Sequence, residues 1–300
     1  MPAELTLAPR KVQLTTRSGV EISRLLPHQA LRAIGAWVFL DYYGPTDQDE
    51  AMSVGAHPHV GLQTVSWLFS GEIEHRDSLE STQLISPGEL NLMTAGTGIA
   101  HSEISTGSAP LLHGVQLWTV LPESARHLPP HFEHFNTIPN FEHNNLSVRL
   151  FMGTLGGHES PATRFSELVG AELSIAENSS STLELNPDYE YGVLNIQGDL
   201  AINGAEVPEG HLHYLPTGAK SLEARSTTGA RWIFLGGKPF TEKIVMWWNF
   251  IGRSHEEIQE MRDDWNSNSS RIPSFSDLIN QRIPAPEMPH LHLSPRSLQR

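Results

Sequence analysis

The stretch HPHVGLQTVSWLFSGEIEHRDS, residues 57–78, decides the fold class of this chain. It opens on a His-Pro-His triplet, continues through a run of strand-forming residues and turns at Gly71 and Glu72. Side chains two residues apart point to the same face of a β-strand, so His57 and His59 present both imidazoles to one side. Histidine is the commonest metal-ligating side chain, and the triplet is therefore a candidate half of a metal site.

The same pattern of short strands and turns continues along the chain. The sequence has 24 glycines and 21 prolines scattered between runs rich in Val, Ile, Leu, Thr and Trp, which favours an all-β sandwich or barrel. Residues 65–78 and 85–98 have a faint counterpart in residues 191–204 and 207–220, each unit being a strand, a Gly-acid turn and a return strand. We therefore predict two tandem antiparallel β-barrels.

The domain boundaries follow from where this pattern lapses. Prolines cluster in residues 122–140, so we place the first barrel at residues 1–130 and the second at 131–245. Residues 246–300 then form a helical segment and a proline-rich, extended tail. Ser254 is a candidate N-cap for the helix, because acidic residues follow it in the first turn. The stretch SFSDLINQRI, beginning at Ser274, is expected to form a second helix or a turn.

The composition excludes several function classes. Cysteine is absent, which rules out disulfides, thiolate zinc sites, iron–sulfur clusters and cysteine nucleophiles, and is typical of a cytoplasmic protein. The net charge of −14 disfavours direct nucleic-acid binding, because phosphate backbones require a basic surface. We also find no apolar run long enough to span a membrane and no secretory signal pattern.

The second half of the candidate metal site lies in TAGTGIAHSEIS, residues 94–105. His101 and Glu103 are again two residues apart and share one face of a strand. With His57 and His59 they would supply three neutral imidazoles and one carboxylate. Such a set, with two open positions in an octahedral sphere, suits non-haem Fe(II) and would also accept Mn, Cu, Ni or Zn.

Chance is the alternative to this interpretation of the histidine pair. The chain has 16 histidines, and a His-x-His triplet recurs at residues 211–213 and 290–292. The metal interpretation depends on the second pair, HSE, occurring in order after the hairpin. The second predicted barrel has no such pair where the repeat would need one, in LNPDYEYGV, so we interpret it as a barrel without metal ligands.

The ordered motifs resemble the pirin family of the cupin superfamily. The resemblance covers most of the chain and is specific because the motifs occur in order. It implies a bicupin whose N-terminal barrel alone binds metal, through His57, His59, His101 and Glu103. The motifs are HPHVGLQTVSWLFSGEIEHRDS, SPGELNLMTAGTGIAHSE, LHGVQLWTVLP, VMWWNFIGRSHEEI and RIPAP.

Two functions from different classes follow from this resemblance. The first is an iron-dependent dioxygenase that opens a flavonol ring, as quercetin 2,3-dioxygenases do, with a small aromatic substrate and dioxygen as its ligands. Glu103 would then be both a ligand and the acceptor of the substrate's hydroxyl proton. The second is a non-enzymatic, redox-responsive regulator that binds a transcription factor or a metabolic enzyme.

Three features around the predicted ligands have two interpretations each. Gln63 stands where cupins commonly have a glutamate, and it either removes a negative charge near the iron or is purely structural. His113 is either a base or donor next to the ligands or a structural histidine, and it faces away from Gln116 unless a bulge intervenes. We interpret His75 and Asp77 as the polar flank of a hairpin, with a catalytic His–Asp couple as the alternative.

Overall fold

The computed structural model describes residues 4–13, 21–47, 52–107, 111–273, 275 and 282–299. Within these residues the regular secondary structure is almost entirely antiparallel strand, with one helix near the C-terminus. The prediction of an all-β chain with two similar halves and a short helical segment is confirmed. None of the helices in the described part of the chain is both long and apolar enough to cross a membrane.

The strands up to residue 135 include those that carry the predicted metal ligands. They are β1 (Leu5–Leu7), β2 (Arg10–Gln13), β3 (Glu21–Leu26), β4 (Trp37–Asp47), β5 (Ser53–His59), β6 (Leu62–Ser70), β7 (Ile73–Asp77), β8 (Thr82–Ile85), β9 (Leu90–Thr94), β10 (Ile99–Ser105), β11 (Leu111–Val120) and β12 (His131–Phe135).

The remaining elements form the second half of the chain and a C-terminal hairpin with its helix. They are β13 (Asn140–His143), β14 (Leu146–Leu155), β15 (His158–Glu159), β16 (Leu168–Ile175), β17 (Ser179–Glu184), β18 (Glu190–Gln197), β19 (Leu200–Ile202), β20 (Ala205–Val207), β21 (Leu212–Leu215), β22 (Ser221–Ser226), β23 (Ala230–Gly237), β24 (Val245–Trp247), β25 (Phe250–Gly252) and α1 (His255–Asn266).

Each half contains a larger and a smaller antiparallel sheet. In the first half the order is β12-β9-β6-β11-β4-β3-β2 in one sheet and β5-β10-β7-β8 in the other. In the second half it is β1-β21-β18-β23-β16-β14-β13, with β15 beside β14, and β17-β22-β19-β20. In both halves the chain leaves the larger sheet at the Gly-acid turn predicted from the repeat. Gly71 and Gly198 have φ angles of 85° and 86° there, a conformation that glycine adopts without a steric penalty.

Two strands sit in places that the proline pattern did not indicate. Residues 122–140 were expected to be irregular, yet β12 forms there and pairs with β9. This pairing is favoured by cross-strand packing of Phe132 against Met93. The second of these strands is β1, near the N-terminus, which pairs with β21 of the second half. The boundaries at residues 130 and 245 stay a prediction.

The two larger sheets pack against each other through a continuous apolar core. Trp37 is fully buried in it and donates its indole N–H to the carbonyl oxygens of Val169 (3.1 Å) and Gly236 (3.2 Å). Trp67 likewise donates to the buried carboxylate of Glu172 at 2.7 Å. Buried tryptophans of the first half are therefore hydrogen-bonded to strands of the second half, which fixes the relative position of the two sheets.

The C-terminal segment covers the small sheet that carries the histidines. The Ser254 side chain accepts a hydrogen bond from the Glu257 N–H, which confirms the predicted N-cap of α1. The helix buries Ile258, Met261 and Trp265 in a cluster that includes Val60 and Phe250. Most of the predicted second helix or turn, from Ser274, lies outside the described residues.

Candidate metal centre

The two predicted histidine pairs lie on adjacent antiparallel strands. In the pairing of β5 with β10, His101 is opposite His57 and Ile99 is opposite His59. The register shifts between His101 and Glu103. Strand pairing therefore brings together residues that are more than forty positions apart in the sequence, as the spacing predicted.

The three histidine rings converge on one point. Their ring centroids lie 4.9 Å (His57–His59), 4.4 Å (His57–His101) and 5.0 Å (His59–His101) apart. The Nε2 atoms of His59 and His101 are separated by 3.1 Å. All three side chains are buried, and one nitrogen from each lies within 4.8 Å of the other two. This spacing allows three nitrogen atoms to surround a single cation.

Burial keeps these imidazoles uncharged. It lowers the pKa of His57 to about 4, although the hydrogen bond to the Gly55 backbone acts in the opposite direction. Burial also lowers the pKa values of His59 and His101 well below the usual range, and the neighbouring histidines reinforce the effect. The rings are therefore neutral at pH 7, which is the protonation state in which histidine binds a metal.

Glu103 lies at the edge of the cluster rather than at its centre. Its carboxylate groups with His75 and His101, while the three-histidine group is made by His57, His59 and His101. The Ser66 hydroxyl lies 3.1 Å from Glu103 Oε1. Burial raises the pKa of Glu103, against the opposing effects of His75 and Ser66. A carboxylate in this environment is a stronger base than one in water.

In each histidine, the nitrogen that donates its proton in a hydrogen bond leaves the other nitrogen with a lone pair that can bind a metal. His57 Nδ1 lies 2.8 Å from the Gly55 carbonyl oxygen and donates its proton there, which leaves Nε2 with a lone pair. His101 Nδ1 lies 3.3 Å from Nδ1 of His75. His59 Nδ1 has no hydrogen-bond partner among the described residues.

His75 and Asp77 belong to the buried centre, and our interpretation of them as a polar hairpin flank is wrong. Their exposed fractions are 3% and 2%, and they lie 3.1 Å apart through His75 Nε2 and Asp77 Oδ2. The hairpin pattern did not reveal this because β7 is covered by β10 on one side and β8 on the other. The two-residue spacing of His75 and Asp77 places both side chains on one face of a strand, and this was the signal in the sequence that could have identified them as part of the centre.

Gln63 and His113 both form hydrogen bonds away from the histidine cluster. The Gln63 amide donates to Thr94 Oγ1 (2.9 Å) and the Thr163 carbonyl (3.0 Å) and accepts from Thr119 Oγ1 (3.1 Å). His113 Nε2 lies 2.9 Å from the Tyr42 hydroxyl. A bulge does occur beside His113, at Gly114, but His113 still contacts Tyr42. The roles of Gln63 and His113 next to the ligands stay predictions.

A cavity of about 270 Å³ opens directly onto the histidines. One wall is aromatic: Phe39 and Trp118 stack with ring centroids 3.9 Å apart and an interplanar angle of 10°. The guanidinium of Arg24 lies 4.5 Å above the Phe39 ring and forms a bidentate ion pair with Asp41, both contacts being 2.7 Å. The Trp118 and His59 rings make a T-shaped contact with centroids 5.1 Å apart. The cavity is therefore lined by aromatic rings beside the metal-ligating atoms.

Several residues that line the cavity could not be identified from the motifs. Tyr43, on β4, is 3% exposed, and its hydroxyl has no hydrogen-bond partner among the described residues. Burial, followed by the charge of Glu103, raises its pKa well above the usual range, so the phenol stays protonated. Trp248 lines the cavity from the C-terminal hairpin with a φ of 51°, a left-handed conformation that is uncommon for a bulky residue. Ile283 joins it from the tail, where its N–H donates to the Ala56 carbonyl at 2.8 Å.

Comparison with known families gives two matches that together span most of the chain. Residues 19–119 match the family model described as Pirin. Residues 170–271 match the model described as the Pirin C-terminal cupin domain.

Individual relatives agree with these matches. A Pseudomonas aeruginosa protein named "Putative quercetin 2,3-dioxygenase" is 40% identical over 273 residues, which is 90% of this chain and 87% of the relative. A pirin-like protein of Caulobacter vibrioides is 33% identical and covers 89% of this chain and 94% of the relative. The crystal structure of a quercetin 2,3-dioxygenase from Acinetobacter baumannii superposes with a TM-score of 0.93 at 34% identity, covering 99% of this chain and 98% of that one.

Proposed function

The chain belongs to the pirin family, and from that premise we propose that it is an iron-dependent dioxygenase that opens the ring of a flavonol such as quercetin. The observation that carries this proposal is the convergence of three buried, neutral histidines on a cavity lined by aromatic side chains. The names of two relatives, one "Putative quercetin 2,3-dioxygenase" and the other "Quercetin 2,3-dioxygenase", support the same substrate class.

The donor set fits Fe(II). His57, His59 and His101 would hold the ion with Glu103, because neutral imidazoles with one carboxylate are typical of non-haem iron sites. Mn, Cu, Ni and Zn are accepted by the same donor types. When bound, iron supplies Lewis acidity and an electron-transfer route to dioxygen. The protein contributes the placement of the substrate and the control of its protons.

The aromatic wall would orient the substrate. Trp118 covers one face of Phe39 and Arg24 covers the other, so a planar ring would pack against the edge of the stacked pair or on the outer face of Trp118; aromatic contacts of this kind contribute about 0.5–1.5 kcal/mol beyond burial. The cavity of about 270 Å³ is at the small end of ligand sites, which favours one compact, flat molecule over a large or flexible one. The buried hydroxyl of Tyr43 is available to donate a hydrogen bond to a substrate oxygen.

Glu103 would accept the proton of the substrate hydroxyl. Its carboxylate lies beside the histidine cluster, and the Ser66 hydroxyl contacts only Oε1. Ser66 also lies 2.9 Å from Oε1 of Gln116. A hydroxyl has a single proton, so Ser66 donates fully to Glu103 only when Gln116 turns its amide nitrogen toward Ser66.

The test is anaerobic loading of the purified protein with Fe(II), followed by addition of quercetin and oxygen. We expect oxygen uptake together with loss of the flavonol absorbance, and loss of both in His59→Ala. His211→Ala is the matched control, because His211 lies in the second half and contacts the Glu209 carbonyl. Iron binding without any turnover, together with iron-dependent capture of a specific protein partner, would instead establish the non-enzymatic regulator.

A further inference from the structure

We propose that Asp77 and His75 position His101 for metal binding by fixing which of its ring nitrogens carries the proton. Neither residue is one of the four predicted ligands. The inference rests on the metal site of the proposed function, but it does not depend on flavonol being the substrate.

The three side chains form a buried hydrogen-bonded row across two strands. In the pairing of β7 with β10, Asp77 is opposite His101 and His75 is opposite Glu103. Asp77 Oδ2 lies 3.1 Å from His75 Nε2, and His75 Nδ1 lies 3.3 Å from His101 Nδ1. All three side chains are at most 3% exposed, so water does not compete for these contacts.

The row is anchored at Asp77. The backbone N–H groups of Leu79 and Ser81 donate to Asp77 Oδ1 at 2.8 and 3.1 Å. With these two donors and the His75 ring around it, the carboxylate acts only as a hydrogen-bond acceptor. The proton in the Asp77–His75 contact therefore belongs to Nε2 of His75.

The rest of the proton order follows from the chemistry of neutral imidazole. A neutral ring has one N–H and one acceptor nitrogen, so in the neutral form of His75, with Nε2 donating to Asp77, Nδ1 accepts. The proton in the His75–His101 contact then belongs to Nδ1 of His101. Nε2 of His101 keeps its lone pair, and this atom faces His59 Nε2 at 3.1 Å. The row thus selects the tautomer of His101 that can bind a metal at the centre of the cluster.

The orientation of the His75 ring is held from outside the row. Phe132, on β12, stacks on it with a centroid distance of 4.4 Å and an interplanar angle of 12°. This contact limits rotation of the imidazole out of the plane in which both of its nitrogens reach their partners. Strand β12 therefore has a role in the metal centre, through His75.

Two readouts test the inference, and neither is turnover. The first is the tautomer of His101 in the metal-free wild-type protein, measured from its ring 15N chemical shifts. We expect protonation at Nδ1. Protonation at Nε2 would overturn the proposal, and this measurement requires no variant to fold.

The second readout is the Fe(II) dissociation constant, measured by competition with a chelator. We expect His75→Leu and Asp77→Asn to weaken binding about 10- to 100-fold, as is typical when a ligand loses its supporting hydrogen bond. His75→Gln should largely restore affinity, because its amide can donate to Asp77 and accept from His101. Glu74→Gln is the matched control, since Glu74 is adjacent on β7 and pairs with Arg76 instead.

Equal affinities in wild type, His75→Leu and Asp77→Asn would refute the positioning role while leaving the metal site intact. Failure of the wild type to bind Fe(II) would refute the metal site itself, and with it the role of Asp77 and His75 in metal binding. Iron binding without flavonol turnover would remove only the proposed substrate.

Discussion

Replacing Gln63 with glutamate would test whether this residue is structural. The substitution restores the residue that cupins commonly have at this position and changes only the amide nitrogen to an oxygen. In the structure Gln63 is 1% exposed, and its amide has three hydrogen-bond partners, on Thr94, Thr119 and Thr163. Because the amide is fully paired, we expect Gln63→Glu to destabilise the fold rather than to alter the metal centre.

The magnitude follows from what each partner can do. The Thr94 hydroxyl can rotate to donate, but the Thr163 carbonyl cannot, so one buried acceptor loses its donor at a cost of about 1–3 kcal/mol. Burial raises the pKa of the new carboxyl above its unfolded value of about 4.3. As the pH rises from the unfolded pKa to the folded pKa, the protein loses about 1.4 kcal/mol of stability per pH unit. A folded pKa near 6, about 1.7 units above the unfolded value, therefore gives a loss of about 2.3 kcal/mol at pH 8, which includes the unpaired Thr163 carbonyl; the loss is small near pH 4, where the protonated carboxyl can donate to that carbonyl.

Urea unfolding of the metal-free protein, followed by tryptophan fluorescence, measures this loss at two pH values. Gln83→Glu is the matched control, because it makes the same chemical change at a partly exposed site on β8. The reasoning would be refuted by a Gln63→Glu protein within about 1 kcal/mol of wild type at pH 8, well below the predicted loss. A tenfold or larger change in Fe(II) affinity would show that Gln63 acts on the metal.

Three further predictions concern the cavity, acid stability and the contact between the halves. Tyr43→Phe should raise the KM for flavonol about 2- to 10-fold with a smaller change in kcat, because it removes one neutral hydrogen bond to the substrate. An unchanged KM in oxygen-uptake kinetics would exclude a hydrogen bond between the Tyr43 hydroxyl and the flavonol. Acidification of the metal-free protein from pH 7 to pH 4 should lower the free energy of unfolding by about 3 kcal/mol through protonation of His57 alone, because the pKa of the ring is about 6.5 in the unfolded chain and about 4 in the folded one. Urea titrations that show the same free energy of unfolding across this range would contradict the prediction. Glu172→Ala should lower the free energy of unfolding by about 3–5 kcal/mol, because it leaves the Trp67 indole N–H and the Arg231 guanidinium without the carboxylate that each contacts at 2.7 Å. If calorimetry shows a decrease in this free energy of less than about 1 kcal/mol, water replaces the carboxylate.

The sequence predicted the parts of the centre that depend on local periodicity. His57, His59, His101 and Glu103 are pairs two residues apart, and a two-residue period is a property of any strand. The cap at Ser254 and the turn at Gly71 are also local.

The remaining parts depend on which strands become neighbours, and local spacing does not specify that. His75 enters the centre because β7 pairs with β10, and Phe132 reaches it because β12 joins β9. Tyr43 and Ile283 line the cavity from distant segments of the chain. The orientation of the Gln63 amide depends on Thr163, a hundred positions away.

The pairing of β1 with β21 has a consequence for synthesis. Leu7 is paired with Leu212, so β1 has no partner until about two hundred residues after it have been translated. Until then the apolar edge of β1 is exposed, and contacts of such long sequence separation form slowly. Fusing a bulky domain directly before Leu5 would hinder the pairing of β1 with β21, so a fusion after the helix should give a higher yield of native protein.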